Sequence, residues 1–179
     1  AADDAAERGG GGGGLARKLG ALARHPLFAA VALAQACYSM QGYTSGAYTG
    51  LFFKDAFPAE YDTYSVLSFS ASLSIGLVAT LAGGAVADAW EARGNATAKL
   101  DVAALAALAL AAVVCAMVFS PSFGLAATWL CLRYVFSNLA DGPAYAAICV
   151  VLPPSLRGTA MGVTVVLCAL LGALATVVI

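Results

Sequence analysis

Two ionisable residues, Arg133 and Asp141, interrupt an otherwise apolar stretch that runs from Phe123 to Leu152. A charged side chain at membrane depth is costly, and such residues are typical of substrate or ion pathways. The two residues are eight positions apart, which places them roughly 80° from a common helical face and about 12 Å apart along the axis. We therefore do not expect them to pair directly in a straight helix, and each needs a partner elsewhere.

Asp141 lies on a polar helical face and close to a proline. The face comprises Tyr134, Asn138, Asp141 and Tyr145, at offsets of 0, 4, 7 and 11. Pro143 removes a backbone donor and predicts a kink directly after the carboxylate. A carboxylate in this setting is a candidate site for a proton or a cation. The alternatives are a structural ion pair or a position near an aqueous mouth for Asp141, and snorkelling for Arg133.

A second polar stripe lies in the first long apolar segment, close to one helical face. It comprises Gln35, Tyr38, Gln41, Ser45 and Tyr48. Polar residues in this pattern favour a cavity or another helix over acyl chains, so we interpret the stripe as part of a pathway. The nearby GxxxGxxxG series at 42–50 allows either close helix packing or movement of the helix.

Composition indicates that lipid is the natural environment of this chain. Of its 179 residues, 61% are hydrophobic and only 11% are charged, and the mean hydropathy is +0.86. A chain of this length cannot bury so much apolar surface in a single water-soluble core. The net charge of −1 gives no reason to expect a nucleic-acid partner.

The sequence contains no recognisable catalytic or metal-binding constellation. His25 is the only histidine, and the five cysteines include no CxxC pair. We therefore expect neither an enzyme nor a bound metal or cofactor.

The distribution of charge divides the chain into segments and predicts an all-α, polytopic bundle of about five transmembrane helices. Residues 1–14, with their run of glycines, are predicted to be a flexible cytoplasmic linker. Residues 15–25 are predicted to be an amphipathic helix at the membrane interface. The transmembrane domain takes up residues 26–179, with predicted spans at 26–53, 63–87, 102–120, 123–152 and 158–179.

The orientation follows from the basic residues. Seven of the nine Lys and Arg residues fall on the side that holds the N-terminus. The positive-inside rule then predicts a multi-pass protein whose N-terminus is cytoplasmic.

Two further segments resemble the major facilitator superfamily of transporters. Gly84-Ala85-Val86-Ala87-Asp88, followed by Arg93, resembles the GxxxD…R loop of that family, although Ala89 and Glu91 depart from its pattern. The stretch from Arg133 to Gly142, followed by Pro153 to Gly162, resembles the later helices of a facilitator half. The resemblance implies helices seven to eleven of twelve. It also implies a cytoplasmic gating loop that would include Gly84, Asp88, Arg93 and Arg157.

Within the superfamily, the chain is similar to spinster-like carriers, which are linked to lysolipids and sphingolipids. The similarity lies in Asp141 after an aromatic stretch and in the turn that contains Arg157, Thr159 and Ala160.

The resemblance implies a secondary transporter that moves a small solute or lipid-like molecule by alternating access, coupled to protons or another gradient. Its partners would be the lipid bilayer, the substrate and a missing N-terminal half of the same protein. The alternative is a non-transporting membrane scaffold or a degenerate half-carrier, and further spans upstream would distinguish the two. An intramembrane enzyme is disfavoured because a catalytic cluster is lacking.

Overall fold

A computed structural model describes the backbone of residues 11–177 and the side chains of residues 14–175, and this part of the chain is helical without any strand. The all-α prediction is thereby confirmed. The helices are α1 (Gly11–Ala23), α2 (Pro26–Ala56), α3 (Tyr61–Glu91), α4 (Ala98–Val118), α5 (Phe123–Val151) and α6 (Pro154–Val177), with a short 3₁₀ turn at Pro58–Glu60.

Local signals explain where several helices begin and end. Proline occupies the first turn of α2, where its missing N–H breaks no helical hydrogen bond. Gly94, in the connection between α3 and α4, has φ +96°, which side chains other than glycine rarely adopt. Helix α1 begins at Gly11, within the segment predicted to be a flexible linker. Extending an existing helix fixes only one residue for each new hydrogen bond, which costs less than starting a helix. Helix α1 can therefore extend into the glycine run. The predicted linker residues 1–10 lie outside the described residues.

Several helices are long and apolar enough to cross a membrane. Three segments meet both criteria, Pro58–Glu91, Ala98–Val118 and Pro154–Ala175, and α1 with α2 forms a fourth candidate that is bent by 88°. Helix α5 is about 43 Å long, which is sufficient to span a bilayer. Its polar residues lower its mean hydropathy, so it is not among these segments. Three or four candidate spans are thus found in the described part of the chain, compatible with a multi-pass integral membrane protein.

Helix α5 occupies the centre of the bundle. It contacts α2, α3, α4 and α6, and its most extensive contacts are with α3 and α4. Helix α2 packs mainly against α6. Two apolar clusters join the helices at opposite ends of the bundle. The first comprises Leu22, Phe28, Ala32, Ile148, Leu152 and Ala160. The second comprises Phe53, Tyr64, Met117, Ala126 and Leu130.

The outer surface of the bundle is strongly apolar. On α3, large side chains that recur every three or four residues are 65% to 74% exposed. They are Val66, Phe69, Leu73, Leu77 and Leu81. An apolar stripe of this length is unfavourable in water and suits contact with acyl chains.

Candidate functional site

The helix that carries both intramembrane charges is the one that its neighbours shield most completely. No residue of α5 between 129 and 149 is exposed, and Arg133 retains only 8% of its accessible surface. Because charged and polar groups are costly in hydrocarbon, their placement on the central helix keeps them away from lipid. The polar residues that lower the hydropathy of α5 are thus buried or half-buried within the bundle.

Asp141 opens onto a cavity of about 290 Å³ between α2 and α5. Its lining consists of Tyr38, Ser39, Gly42, Tyr43, Ser137, Asp141 and Tyr145. The Tyr38 hydroxyl donates a hydrogen bond of 2.7 Å to the backbone carbonyl of Ser137. The carboxylate lies ten residues before the end of α5, which corresponds to a depth of about 15 Å along that helix. The cavity therefore places a carboxylate, hydroxyls and aromatic rings together at membrane depth.

Gln35 links the parts of this site. It is buried, with 5% of its surface exposed, and its side chain lies close enough to Asp141 and Tyr145 for a polar interaction with each. The predicted pathway residues Gln35, Tyr38, Asp141 and Tyr145 are thus brought together by the packing of α2 against α5.

Glycines on α3 and α5 allow this part of α5 to be held in place. Pro143 has no N–H, so the Leu139 carbonyl four residues earlier lacks its helical donor. Gly83 of α3 packs directly against that carbonyl, and a Cβ added there would lie 3.0 Å from the Leu139 carbonyl carbon. A Cβ at Gly142 would similarly lie 3.2 Å from the Thr80 carbonyl oxygen. Backbone-to-backbone contact of this kind requires residues without side chains.

The remainder of the polar stripe on α2 lines a different cavity. Gln41, Ser45 and Tyr48 border a space of about 560 Å³ between α2 and α4, together with Thr44 and Thr49. The Gln41 Oε1 atom is buried there without a hydrogen-bond partner. Gln35, together with Tyr38, borders a third space of about 430 Å³ beside α4 and α5. The predicted stripe is therefore divided among three cavities.

Helix α4 contributes to the larger cavity in a way that the sequence does not indicate. Val114, Met117 and Val118 form its wall on that side. All three residues are apolar, and so is almost all of α4. The sequence therefore contains no pattern that shows which face of α4 lines the cavity.

Arg133 is a buried cation that has no acidic partner in the described part of the chain. Among the described residues it makes no ion pair, and its Nε has no hydrogen-bond partner. Its guanidinium carbon lies 5.6 Å from the centre of the Tyr134 ring, a distance at which a cation–π interaction is favourable. The ring offsets only part of the cost of burying a guanidinium, which also requires hydrogen-bond acceptors and a negative charge.

Asn138 is directed away from the Asp141 cavity. Its side-chain nitrogen donates to the Tyr134 carbonyl at 2.8 Å, and its amide group approaches Gly76 of α3. The Tyr134 hydroxyl hydrogen-bonds with Ser68 of α3 at 2.7 Å. The polar face predicted for α5 is thus divided between two surroundings. Tyr134 and Asn138 pack against α3, whereas Asp141 and Tyr145 line the cavity.

The residues of the predicted gating loop make local contacts. Lys99, at the start of α4, pairs with Glu91 and lies 3.7 Å from Asp88 at the end of α3. Arg93 is exposed and forms no ion pair with the described residues. A Cβ at Gly84 would meet open space.

Arg157 caps a helix end. Its Nε donates to the Leu152 carbonyl at 3.1 Å, just beyond the last residue of α5.

No group of three or more His, Cys, Asp or Glu side chains within the described part of the chain is arranged to hold a metal ion. The five cysteines are free.

No protein-family model, curated protein or solved structure matches this chain. The assignment of function therefore rests on the geometry given above and on the resemblance of the two sequence segments.

Proposed function

We propose that the chain is part of a secondary transporter of the major facilitator type, and that the cavity at Asp141 belongs to its substrate or ion pathway. The observation that carries this proposal is the enclosure of α5. No residue at 129–149 of the helix that bears Arg133 and Asp141 is exposed, and Asp141 opens onto a cavity with three tyrosines. Ionisable groups retained at this depth beside an open space are typical of pathways.

The pairing of helices supports a facilitator half with five spans, α2 to α6. Each such half contains two inverted three-helix repeats. In such repeats the first span corresponds to the fourth and the second to the fifth, so that α2 corresponds to α5 and α3 corresponds to α6. The packing of α2 against α6 then corresponds to the packing of α5 against α3. Both pairs are among the most extensive contacts in the bundle. By the same correspondence, the packing of α4 against α5 predicts a sixth span that packs against α2.

In this proposal, Asp141 binds a proton or a cationic group, and the neighbouring side chains of Gln35, Tyr38 and Tyr145 position that group through polar and aromatic contacts. Arg133, which forms no ion pair with the described residues, supplies a positive charge two turns away along α5 for an anionic group of the substrate or for a carboxylate on the other half. The transported molecule is a small solute or a lipid-like compound. Alternating access exposes the cavity first to one side of the membrane and then to the other.

The first experiment tests whether water reaches the cavity. Gly42 lines it and Gly46 lies one turn further along α2, and a Cβ at either position meets open space. Gly42→Cys and Gly46→Cys, each in a cysteine-free background in proteoliposomes, form a matched pair. A charged, membrane-impermeant methanethiosulfonate reagent is added to the outside or trapped inside. The cysteine thiolate, which forms only where water reaches the sulfur, attacks the reagent, forms a mixed disulfide and displaces methanesulfinate.

We expect Gly42→Cys to react from both sides and Gly46→Cys to react from neither, because Gly46 does not line the cavity. Failure of Gly42→Cys to react from either side would mean that the cavity is dry. The transporter proposal would then give way to a non-transporting scaffold. Reaction from one side only would exclude alternating access in the isolated chain.

The second experiment tests coupling to protons. Asp141→Asn retains the size and hydrogen-bonding groups of the side chain but cannot release a proton. Asp62→Asn, near the start of α3, removes the same charge from an exposed position. We expect uptake of protons into pyranine-loaded proteoliposomes after an acid step to fall for Asp141→Asn and to be retained for Asp62→Asn. Equal uptake by both variants would remove Asp141 from the pathway.

A further inference from the structure

We propose that the groove between α1 and α6 binds an acidic phospholipid, with an acyl chain in the groove and the headgroup phosphate among basic residues of α1. The proposal requires the chain to lie in a membrane and is independent of whether it transports anything.

The groove is a space of about 510 Å³ with an apolar lining. From α1 come Leu15 and Leu19, which are 53% and 41% exposed. From α6 come Gly158, Gly162 and Val166, among others. A Cβ at either glycine would meet nothing within 4 Å, so the glycines leave room for an additional chain instead of packing against a helix.

The direction of α1 places this groove at the membrane surface. Helices α1 and α2 are bent by 88° with respect to each other. Because α2 crosses the bilayer in the proposed arrangement, α1 lies in the plane of the interface, as amphipathic anchoring helices do. Leu22 of α1 is only 2% exposed and joins Phe28 and Ile148 in the first apolar cluster, which holds α1 against the bundle.

Charge determines which lipid suits the groove. Helix α1 carries Arg17 and Lys18, Arg24 follows directly, and Arg157 lies at the adjoining start of α6. Neither α1 nor the turn into α6 contains an acidic residue. The α3–α4 connection, by contrast, offsets its basic residues with acidic ones. Asp3, Asp4 and Glu7 lie outside the described residues.

This unbalanced positive charge complements a phospholipid headgroup that carries a net negative charge. Basic residues near a membrane surface attract anionic lipids, each by about fivefold in affinity. The zwitterionic headgroup of phosphatidylcholine carries no net charge and gains little from them. The apolar groove can contact the acyl chain of a lipid, and inorganic phosphate has no such chain.

The test measures lipid selectivity beside α1. Gly20 is exposed with open space around it, and Gly20→Cys in a cysteine-free background carries a bimane label there. The labelled chain is reconstituted in phosphatidylcholine liposomes that contain a small fraction of doxyl-labelled phosphatidylserine or doxyl-labelled phosphatidylcholine. We expect phosphatidylserine to quench bimane at a several-fold lower fraction, with the preference declining as salt is raised.

Two pairs of variants separate charge from shape. Arg24→Gln should lower the preference by about fivefold, whereas Lys54→Gln, at the other end of α2, should leave it unchanged. Gly162→Leu fills the groove and should reduce the preference while every charge remains. Gly124→Leu makes the same change where a side chain also meets open space, at the start of α5, and should have no effect.

Equal quenching by both lipids in the parent protein would overturn the proposal. A preference that Gly162→Leu leaves intact would overturn the groove as the site and reduce the effect to general surface electrostatics. Competition by inorganic phosphate at the same concentration as the lipid headgroup would likewise show that the acyl chain contributes nothing.

Discussion

The contact between α3 and α5 at Gly83 permits a direct measurement of how much one close approach contributes to the bundle. Gly83→Ala adds a Cβ that would lie 3.0 Å from the carbonyl carbon of Leu139 and 3.1 Å from its Cα, and still closer to its carbonyl oxygen. The obstacle is backbone, which cannot rotate aside, so the two helices must separate. Overpacking of this kind costs about 1–3 kcal/mol.

Gly84→Ala is the matched control, since a Cβ there meets nothing within 4 Å. Both variants replace glycine by alanine at neighbouring positions inside α3, and both gain roughly 1 kcal/mol of helix propensity. The difference between them therefore isolates the steric term. We expect Gly83→Ala to be less stable than Gly84→Ala by about 1–3 kcal/mol.

The assay is reversible unfolding in mixed micelles by titration with sodium dodecyl sulfate, followed by the fluorescence of Trp90 and Trp129. The free energies of unfolding of the two variants are compared under identical conditions. Equal stability would refute the argument, because it would mean that α3 and α5 do not meet backbone to backbone at Gly83. A larger loss for Gly84→Ala would refute it equally.

Two further predictions concern the cavity and the orientation. Tyr38→Phe removes the hydroxyl that donates to Ser137 and should lower the free energy of unfolding by about 0.5–1.5 kcal/mol. The control Tyr48→Phe removes no hydrogen bond to the described residues and should change the free energy of unfolding little. An equal loss of stability in both variants would contradict this prediction. Single cysteines in the connections at 57–60 and 92–97 should be labelled by an impermeant reagent from opposite sides of the membrane. Labelling of both from the same side would exclude the alternating arrangement of spans.

Much of the helical architecture could be predicted from the sequence because a segment in lipid must satisfy its backbone hydrogen bonds internally. A long apolar run between polar connections has no alternative to a helix. The segments at 63–87 and 102–120 accordingly lie within or close to α3 and α4. The boundaries shift by several residues, since polar residues such as Asp88 and Lys99 continue the helices beyond the apolar runs.

The sites were less predictable, because a helical wheel orders residues around one axis and says nothing about which neighbour occupies each direction. Asn138 and Asp141 fall on one side of α5 by spacing. In the bundle, however, α3 takes the side of Asn138 and α2 takes the side of Asp141. Similarly, the stripe on α2 has one face by spacing, but α5 borders one part of it and α4 another.

The sequence by itself determined that the chain is helical and apolar, and that Arg133 and Asp141 are its costliest residues in lipid. Only the tertiary structure decided that α5 is central, that Gln35 and Tyr38 lie beside Asp141, and that Arg133 has no acidic partner among the described residues. The physical reason is that helix formation depends on hydrogen bonds within one segment. Lateral packing depends on where residues without side chains, such as Gly83 and Gly142, allow distant segments to touch.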